Sequence, residues 1–272
     1  MKKRKFSLPR EFPNLRKLPV KGALVILLSL FILALVIGSS AKFLLDSDYF
    51  KVQEVSARGM DAADLSYLKG KNIFSLDLRK ESRLMLGSYP DASGVRIVRL
   101  IPNRLFVDFA KRTPAALVKL YRYFALDNGG VIFFVPPEAQ AQSTLPVITG
   151  LETKIFGPKP GSRYNLREIR LSLEIIREMK SSRPLKNYTL NRIDVANFQN
   201  AAIFISSRLN ARTGQRALDH LEIKLGPSDI RSKAAILGGL LAQEKDQAAG
   251  IKYIDLRFKN PVVKYNEGKS AK

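Results

Sequence analysis

The chain has 272 residues and a net charge of +22, from 46 lysines and arginines against 24 aspartates and glutamates. It contains no cysteine and one histidine, which excludes disulfide bonds, thiol catalysis and zinc sites built from several Cys or His ligands. Its length is sufficient for two modest domains with hydrophobic cores.

Residues 1–21 form a basic segment that is interrupted by three prolines and contains one acid, Glu11. We predict a disordered tail here. Residues 22–41 then carry no charge, and a helix over this range reaches about 30 Å, the thickness of a bilayer's hydrocarbon core. We predict that this segment spans a membrane once.

The flanking charges predict the orientation of this helix. Because the cationic end of a spanning helix stays in the cytoplasm, the chain after Lys42 is predicted to be extracytoplasmic, where a nucleic-acid partner is not expected. A buried soluble helix and a cleavable signal peptide are the alternatives. Ser39 and Ala41 form the small-x-small pair of a cleavage site, but the run exceeds the usual h-region of about 7–15 residues.

The next stretch, residues 50–113, is predicted to be a small α+β domain. Its pattern predicts a strand at 49–58, a short helix at 61–68, a helix that follows Asp77 and stops before Pro90, and strands at 95–100 and 104–111. The hydrophobic residues expected to face its core include Ile73, Phe74, Leu78, Leu84, Met85 and Leu86.

Residues 114–265 are predicted to form a second, mixed β-rich domain with an antiparallel sheet and flanking helices. Strands are predicted at 115–120, 122–126, 131–135, 145–150, 190–195, 201–206, 218–225, 253–257 and 262–265, with helices at 166–179 and 227–243. Asp127-Asn128-Gly129-Gly130 predicts a hairpin turn. Residues 266–272 are expected to be frayed.

No motif in the chain predicts a reaction. His220 is the only histidine, and GxSxG, GxGxxG and Walker patterns are missing from the sequence. We therefore predict no catalytic, cofactor-binding or metal-binding residue, and we expect the protein not to be an enzyme.

The last predicted strand is the candidate binding element. A terminal strand often lies at a sheet edge, where unpaired backbone groups accept a strand from another protein. Val262, Val263 and Tyr265 would give such an edge an apolar contact surface. Pro261 lacks an N–H, which suits an edge or a turn. The alternative is that this strand merely completes its own sheet.

Several segments resemble the FtsQ/DivIB family of bacterial cell-division proteins. In chain order they are FKVQEVSARGM, KGKNIFSLDL, SYPDASGVRIVRLIPNRLFVDFAKRTPAAL, FALDNGGVIF, LPVITG and YIDLRF. Each is weak alone, but their order and spacing together are specific. Lys111-Arg112 depart from the family pattern, in which an acid commonly stands at this point.

The resemblance implies a basic cytoplasmic tail, one spanning helix in the inner membrane, a POTRA domain of order β-α-α-β-β and a β domain. It also implies a division scaffold at the septum that helps control septal peptidoglycan synthesis. The POTRA domain would contact other division proteins, and the β domain would bind an FtsB/FtsL-like pair by strand addition. By position the contact residues would be Phe258, Lys259, Asn260, Val262, Val263, Lys264 and Tyr265.

Two other function classes remain open at this stage. A POTRA-containing envelope transport or assembly component would usually carry tandem POTRA units or a long membrane β-barrel. A membrane-tethered cell-wall enzyme would need a constellation of acids or histidine.

Overall fold

A computed structural model of the chain describes residues 20–60, 64–207, 220–243 and 250–266. The predicted tail at 1–21 and the frayed end at 266–272 lie outside these ranges, apart from Val20, Lys21 and Asn266. Contacts between Cα atoms divide the chain into two compact units. Among the described residues, one unit contains those up to Ala57, 64–78 and Ile97–Val107, and the other contains 58–60, Arg79–Arg96 and those from Asp108 onward. The predicted boundary between residues 113 and 114 stays a prediction.

The first element is the apolar helix α1, Val20–Asp46. Its segment Gly22–Asp46 is the one helix among the described residues that is long and apolar enough to cross a membrane, and none of it is buried by the protein. The predicted helix is confirmed, and it continues five residues past Ala41 because Phe43, Leu44 and Leu45 extend its apolar surface.

A small sheet follows, with strands β1 (Glu54–Arg58), β2 (Ala92–Leu100) and β3 (Arg104–Lys111) in the order β1-β3-β2. Helix α2, Leu78–Ser88, precedes β2. The alternation predicted for β3 is confirmed, because Leu105, Val107 and Phe109 are all buried.

Three local predictions in this region were wrong. The strand expected from residue 49 begins at Glu54, because Asp48–Phe50 form a 3₁₀ turn. The helix expected at 61–68 is only a 3₁₀ turn at Ser66–Leu68 in its described part. Leu84 and Phe74 are exposed rather than buried, at 54% and 36%. Met85 is the buried residue of α2, and its neighbour Leu84 lies about 100° around the helix axis.

The described residues from 114 onward form a nine-stranded sheet, called the large sheet below. Its order is β12-β11-β10-β9-β8-β7-β4-β5-β6. It is mixed rather than purely antiparallel, because the pairs β4-β7, β7-β8 and β10-β11 are parallel. The strands are β4 (Pro114–Lys119), β5 (Tyr123–Asp127), β6 (Ile132–Phe133), β7 (Val147–Thr149), β8 (Tyr188–Asp194), β9 (Ala202–Ser207), β10 (Leu221–Lys224), β11 (Ile251–Asp255) and β12 (Val262–Tyr265).

Among the described residues, three α-helices accompany the large sheet: α3 (Pro137–Ala141), α4 (Arg167–Ser181) and α5 (Ile230–Gln243). Helices α4 and α5 contribute buried residues such as Ile175 and Leu237 to the same hydrophobic core as the strands. Glu168, at the start of α4, is also buried, and its Oε1 forms an ion pair with Lys154 Nζ at 2.9 Å.

A row of apolar residues crosses the large sheet on the core side. Each member is the register partner of the next, so the row is continuous from strand to strand. Every member except the last is fully buried, and Val263 is half-buried against the same core. The row consists of Phe124, Val118, Ile148, Ile193, Ile203, Ile223, Ile254 and Val263.

Candidate functional site

The candidate site is the hairpin of β11 and β12 at one end of the large sheet. Within the described residues β12 has one neighbouring strand, β11, which it pairs antiparallel. The prediction that the last strand lies at a sheet edge is therefore confirmed. Pro261 directly precedes β12 and is exposed, as expected for a residue that has no N–H to donate.

The backbone of β12 turns alternate groups toward and away from β11. The amide of Asn266 donates to the carbonyl of Gly250 at 2.9 Å, which fixes the side of the strand that faces β11. Because this orientation alternates along a strand, Val262 and Lys264 also direct their backbone groups toward β11. The N–H and C=O of Val263 therefore point away from β11, toward the open edge of the sheet.

The structure brings all seven predicted contact residues into this one hairpin. Among the apolar residues of this set, Phe258 has the most exposed side chain, at 62%, and Val262 is 47% exposed. The side chain of Val263 faces the core, so Val262 and Lys264 lie on the opposite face of the sheet. Lys259, Asn260, Lys264 and Tyr265 are exposed as well.

An ion pair between buried Asp255 and the partly exposed side chain of Arg257 holds the start of the loop between β11 and β12. The Asp255 carboxylate accepts hydrogen bonds from the backbone N–H of Arg257 at 3.0 Å and from its guanidinium at 2.6 to 3.2 Å. Asp255 is 5% exposed. The hydrogen bonds from Arg257 hold the pKa of Asp255 below its ordinary value, against the opposing effect of burial. Arg257 also donates to Asn200 Oδ1 at 2.6 Å.

Sequence reasoning assigned no role to this ion pair, although both residues stand in the YIDLRF segment. The link between Arg257 and Asn200 joins residues 57 positions apart, so no local pattern announces it. Its effect is to fix the chain direction just before Phe258, which stacks beside Arg257 with 5.6 Å between the guanidinium and the ring centre.

The opposite end of the large sheet is covered by the protein's own chain. The outer strand β6 is only two residues long. Ile132 donates to the carbonyl of Ser162 at 3.2 Å, and its own carbonyl accepts from Gly161 at 2.7 Å. Tyr164 donates to the carbonyl of Gly130 at 2.8 Å. The loop around residues 161–164 thus takes up the backbone groups that a strand would otherwise use.

The described ranges contain no group of three or more His, Asp or Glu side chains that would hold a metal ion. His220 is exposed immediately before β10.

The model for the C-terminal region of the cell-division protein FtsQ/DivIB matches residues 116–257 of the chain. The chain belongs to the FtsQ/DivIB family. The matched region contains the large sheet from β4 to β11 and ends at Arg257, so the exposed loop and β12 follow directly after it.

Similarity to individual family members extends over most of the chain. The cell-division protein FtsQ of Geotalea daltonii is 27% identical over 79% of this chain and 75% of its own length. The FtsQ of Syntrophotalea carbinolica is 24% identical over 82% and 77%, respectively. That of Myxococcus fulvus is 30% identical over 49% and 50%. All three relatives are named as cell-division proteins.

Proposed function

We propose that this protein is a single-pass scaffold of the division machinery that binds an FtsB/FtsL-like pair by strand addition to β12. Its basic N-terminus would lie in the cytoplasm and the chain after α1 in the periplasm, at the septum. The cations before Gly22 support this orientation, since cationic flanks remain on the cytoplasmic side.

The observation that carries the proposal is the contrast between the two ends of the large sheet. At the β6 end the outer backbone groups bond to the loop at 161–164. At the β12 end the N–H and C=O of Val263 are directed away from the only described neighbour, β11. An extended partner segment therefore has a template at one end of the sheet only.

The row of core residues supports the same edge. Val263 is its last member and is half-buried, whereas every earlier member is covered by strands on both sides. A strand added beside β12 would place a residue next to Val263, and an apolar residue there would continue the row. Phe258 and Val262 supply further exposed apolar surface in the same hairpin, with Val262 on the opposite face of the sheet.

A capture experiment tests the proposal. The full chain in detergent micelles is presented with an immobilised FtsB/FtsL-like pair, and Phe258→Ala and Val262→Glu are compared with the unmodified protein. We expect both variants to weaken capture, because one removes an exposed ring and the other places a charge beside the edge. Melting followed by circular dichroism checks that the fold is intact.

Matched controls make the result specific to the edge. Phe156→Ala removes a ring that is 81% exposed elsewhere, and Ile236→Glu charges a residue of α5 that is 41% exposed. Both controls should capture the pair normally. Normal capture by Phe258→Ala and Val262→Glu would refute strand addition at β12, and loss of folding in both would mean that the strand only completes the sheet.

The orientation is tested separately with spheroplasts. Protease added from outside should remove the chain after α1 while leaving the basic N-terminal segment protected. Complete protection of the large sheet would place it in the cytoplasm and would end the proposal for a periplasmic scaffold.

A further inference from the structure

A group of aromatic side chains lies at the C-terminal end of α1. Phe50 lies at its centre and makes edge-to-face contacts with three other rings, Phe43 at 6.1 Å, Tyr49 at 5.2 Å and Phe74 at 5.2 Å between ring centres. We call these four residues the aromatic collar. The outer rings are not covered by the protein, because Phe43 is 61% and Tyr49 62% exposed.

The loop that carries Phe74 is fastened to the end of α1 by Asn72. Its side-chain amide donates to the carbonyls of Leu44 and Leu45, both at 2.8 Å. These belong to the last four carbonyls of the helix, which have no partner within the helix itself. The Oδ1 atom of Asn72 accepts from the backbone N–H of Phe74 at 2.8 Å, so one side chain ties the helix end to the loop.

The same loop is held from its other side by Arg99 of β2. The guanidinium donates to the carbonyls of Ile73 and Leu76, both at 2.7 Å. Ile73 and Leu76 are buried, whereas Phe74 between them remains 36% exposed. The hydrogen bonds to the backbone of this loop therefore hold Phe74 at the surface.

The position of the collar along the chain indicates what covers it. Counted from Gly22, the hydrocarbon core of about 30 Å ends near Ala41, and Lys42 and Phe43 follow. Tyrosine and tryptophan are enriched at this depth, and phenylalanine is typical of the apolar face of segments that lie at the membrane surface. The chain contains no tryptophan, so phenylalanine and tyrosine are the rings available for this role.

Helix α1 extends past the uncharged run. Its segment Gly22–Asp46 has 25 residues, more than a bilayer core requires, and the charged residues Lys42 and Asp46 lie among the last five. Charged and aromatic groups at this end of the helix set its depth in the bilayer. We propose that the aromatic collar contacts the headgroup layer of the bilayer and, through Asn72, fixes the loop of residues 72–76 at the membrane surface. This inference rests on the proposed membrane span.

The absence of tryptophan provides a direct test. Single substitutions Tyr49→Trp and Phe74→Trp each give the full chain one indole. The variants are inserted into vesicles of phosphatidylcholine and phosphatidylglycerol, in which a brominated phosphatidylcholine quenches tryptophan that contacts lipid. We expect both to lose emission and to emit at shorter wavelength than Phe156→Trp, which reports an exposed ring of the other unit.

A fourth variant separates failure of the collar from failure of the span. Phe31→Trp lies within α1 and is quenched whenever the helix is inserted. Quenching of Phe31→Trp without quenching of Tyr49→Trp and Phe74→Trp would overturn the collar while leaving the span intact. Loss of quenching at Phe31→Trp would overturn both.

Asn72 is tested in the same assay. Adding Asn72→Ala to Phe74→Trp should reduce quenching, because the loop loses both hydrogen bonds to the helix end. The same change added to Phe31→Trp should have no effect. Unchanged quenching of Phe74→Trp in the Asn72→Ala background would refute the fastening role of Asn72.

Discussion

Substitution Arg257→Ala tests whether the ion pair between Asp255 and Arg257 stabilises the hairpin of β11 and β12. It removes the guanidinium that donates to both oxygens of Asp255 and to Asn200. Asp255 then keeps the backbone N–H of residue 257 as its remaining partner from this pair, although its carboxylate is almost completely buried. The expected result is a less stable protein whose terminal hairpin loosens first.

The burial of Asp255 and the exposure of Arg257 determine how much stability Arg257→Ala removes. Hydrogen bonds to a charged group contribute about 1.5–3 kcal/mol, and removing one partner of a buried pair costs about 3–5 kcal/mol. The side chain of Arg257 is 29% exposed, so water replaces part of what is lost. We therefore expect the free energy of unfolding to fall by about 2–3 kcal/mol.

Urea unfolding of the full chain in detergent micelles, followed by circular dichroism, measures this loss. Arg177→Ala is the matched control, because Arg177 pairs with Glu178 at 3.3 Å while its side chain is 72% exposed. Exposed pairs contribute about 1 kcal/mol or less. The double variant Asp255→Asn with Arg257→Ala should be more stable than Arg257→Ala alone, because it leaves no buried charge unpaired.

The pH dependence gives a second, independent reading. Arg257 lowers the pKa of Asp255 in the folded state, so the pair contributes stability above the unfolded pKa of about 3.9. That contribution is lost as the pH falls through the lowered folded value. The difference between the native protein and Arg257→Ala should thus be full at about pH 7 and shrink as the pH falls below about 3.9. An equal difference at both pH values, or one no larger than that of Arg177→Ala, would refute the reasoning.

Glycine substitutions give the remaining predictions, each read as a shift of the thermal midpoint. Gly239→Ala should stabilise α5 by about 0.5–1 kcal/mol, because an added Cβ meets no atom within 4 Å. Gly238→Ala should lack this gain, since its Cβ would lie 3.0 Å from Pro184 Cβ. An equal gain in stability at Gly238 and Gly239 would contradict the close contact with Pro184. Gly150→Ala should destabilise by more than about 3 kcal/mol, since φ is +87° and a Cβ would overlap the backbone of Ala196. A midpoint like that of the native protein would show that this contact is not tight.

Elements with a strong local pattern could be predicted from the sequence. The uncharged run at 22–41 gave α1, alternation gave β3, and the helical spacing from Leu166 to Met179 gave α4. The edge position of β12 followed from its place at the end of the β-rich region. In each case the residues that determine the element lie within it.

Features that depend on distant residues could not be predicted in this way. Strand β7 has three residues and lies between β4 and β8, both parallel to it, so its place in the sheet comes from its neighbours. Arg112 departs from the family pattern, yet it is 13% exposed and bonds to Asp127 of the hairpin turn at 2.6 Å. The charge that looked anomalous in the sequence has an acidic partner 15 residues away.

An open sheet edge also invites pairing between copies of the same chain, and the surroundings of β12 oppose this. The strand has four residues, one of which is the exposed Lys264, and Pro261 directly precedes it. Lys259 is exposed in the loop before the strand. Short strands, proline and lysine at an edge are established protections against such pairing. A second copy would bring the same cations and the same +22 net charge, so its approach is opposed by like charges. The features that keep this edge unpaired with itself therefore also favour a partner of different charge.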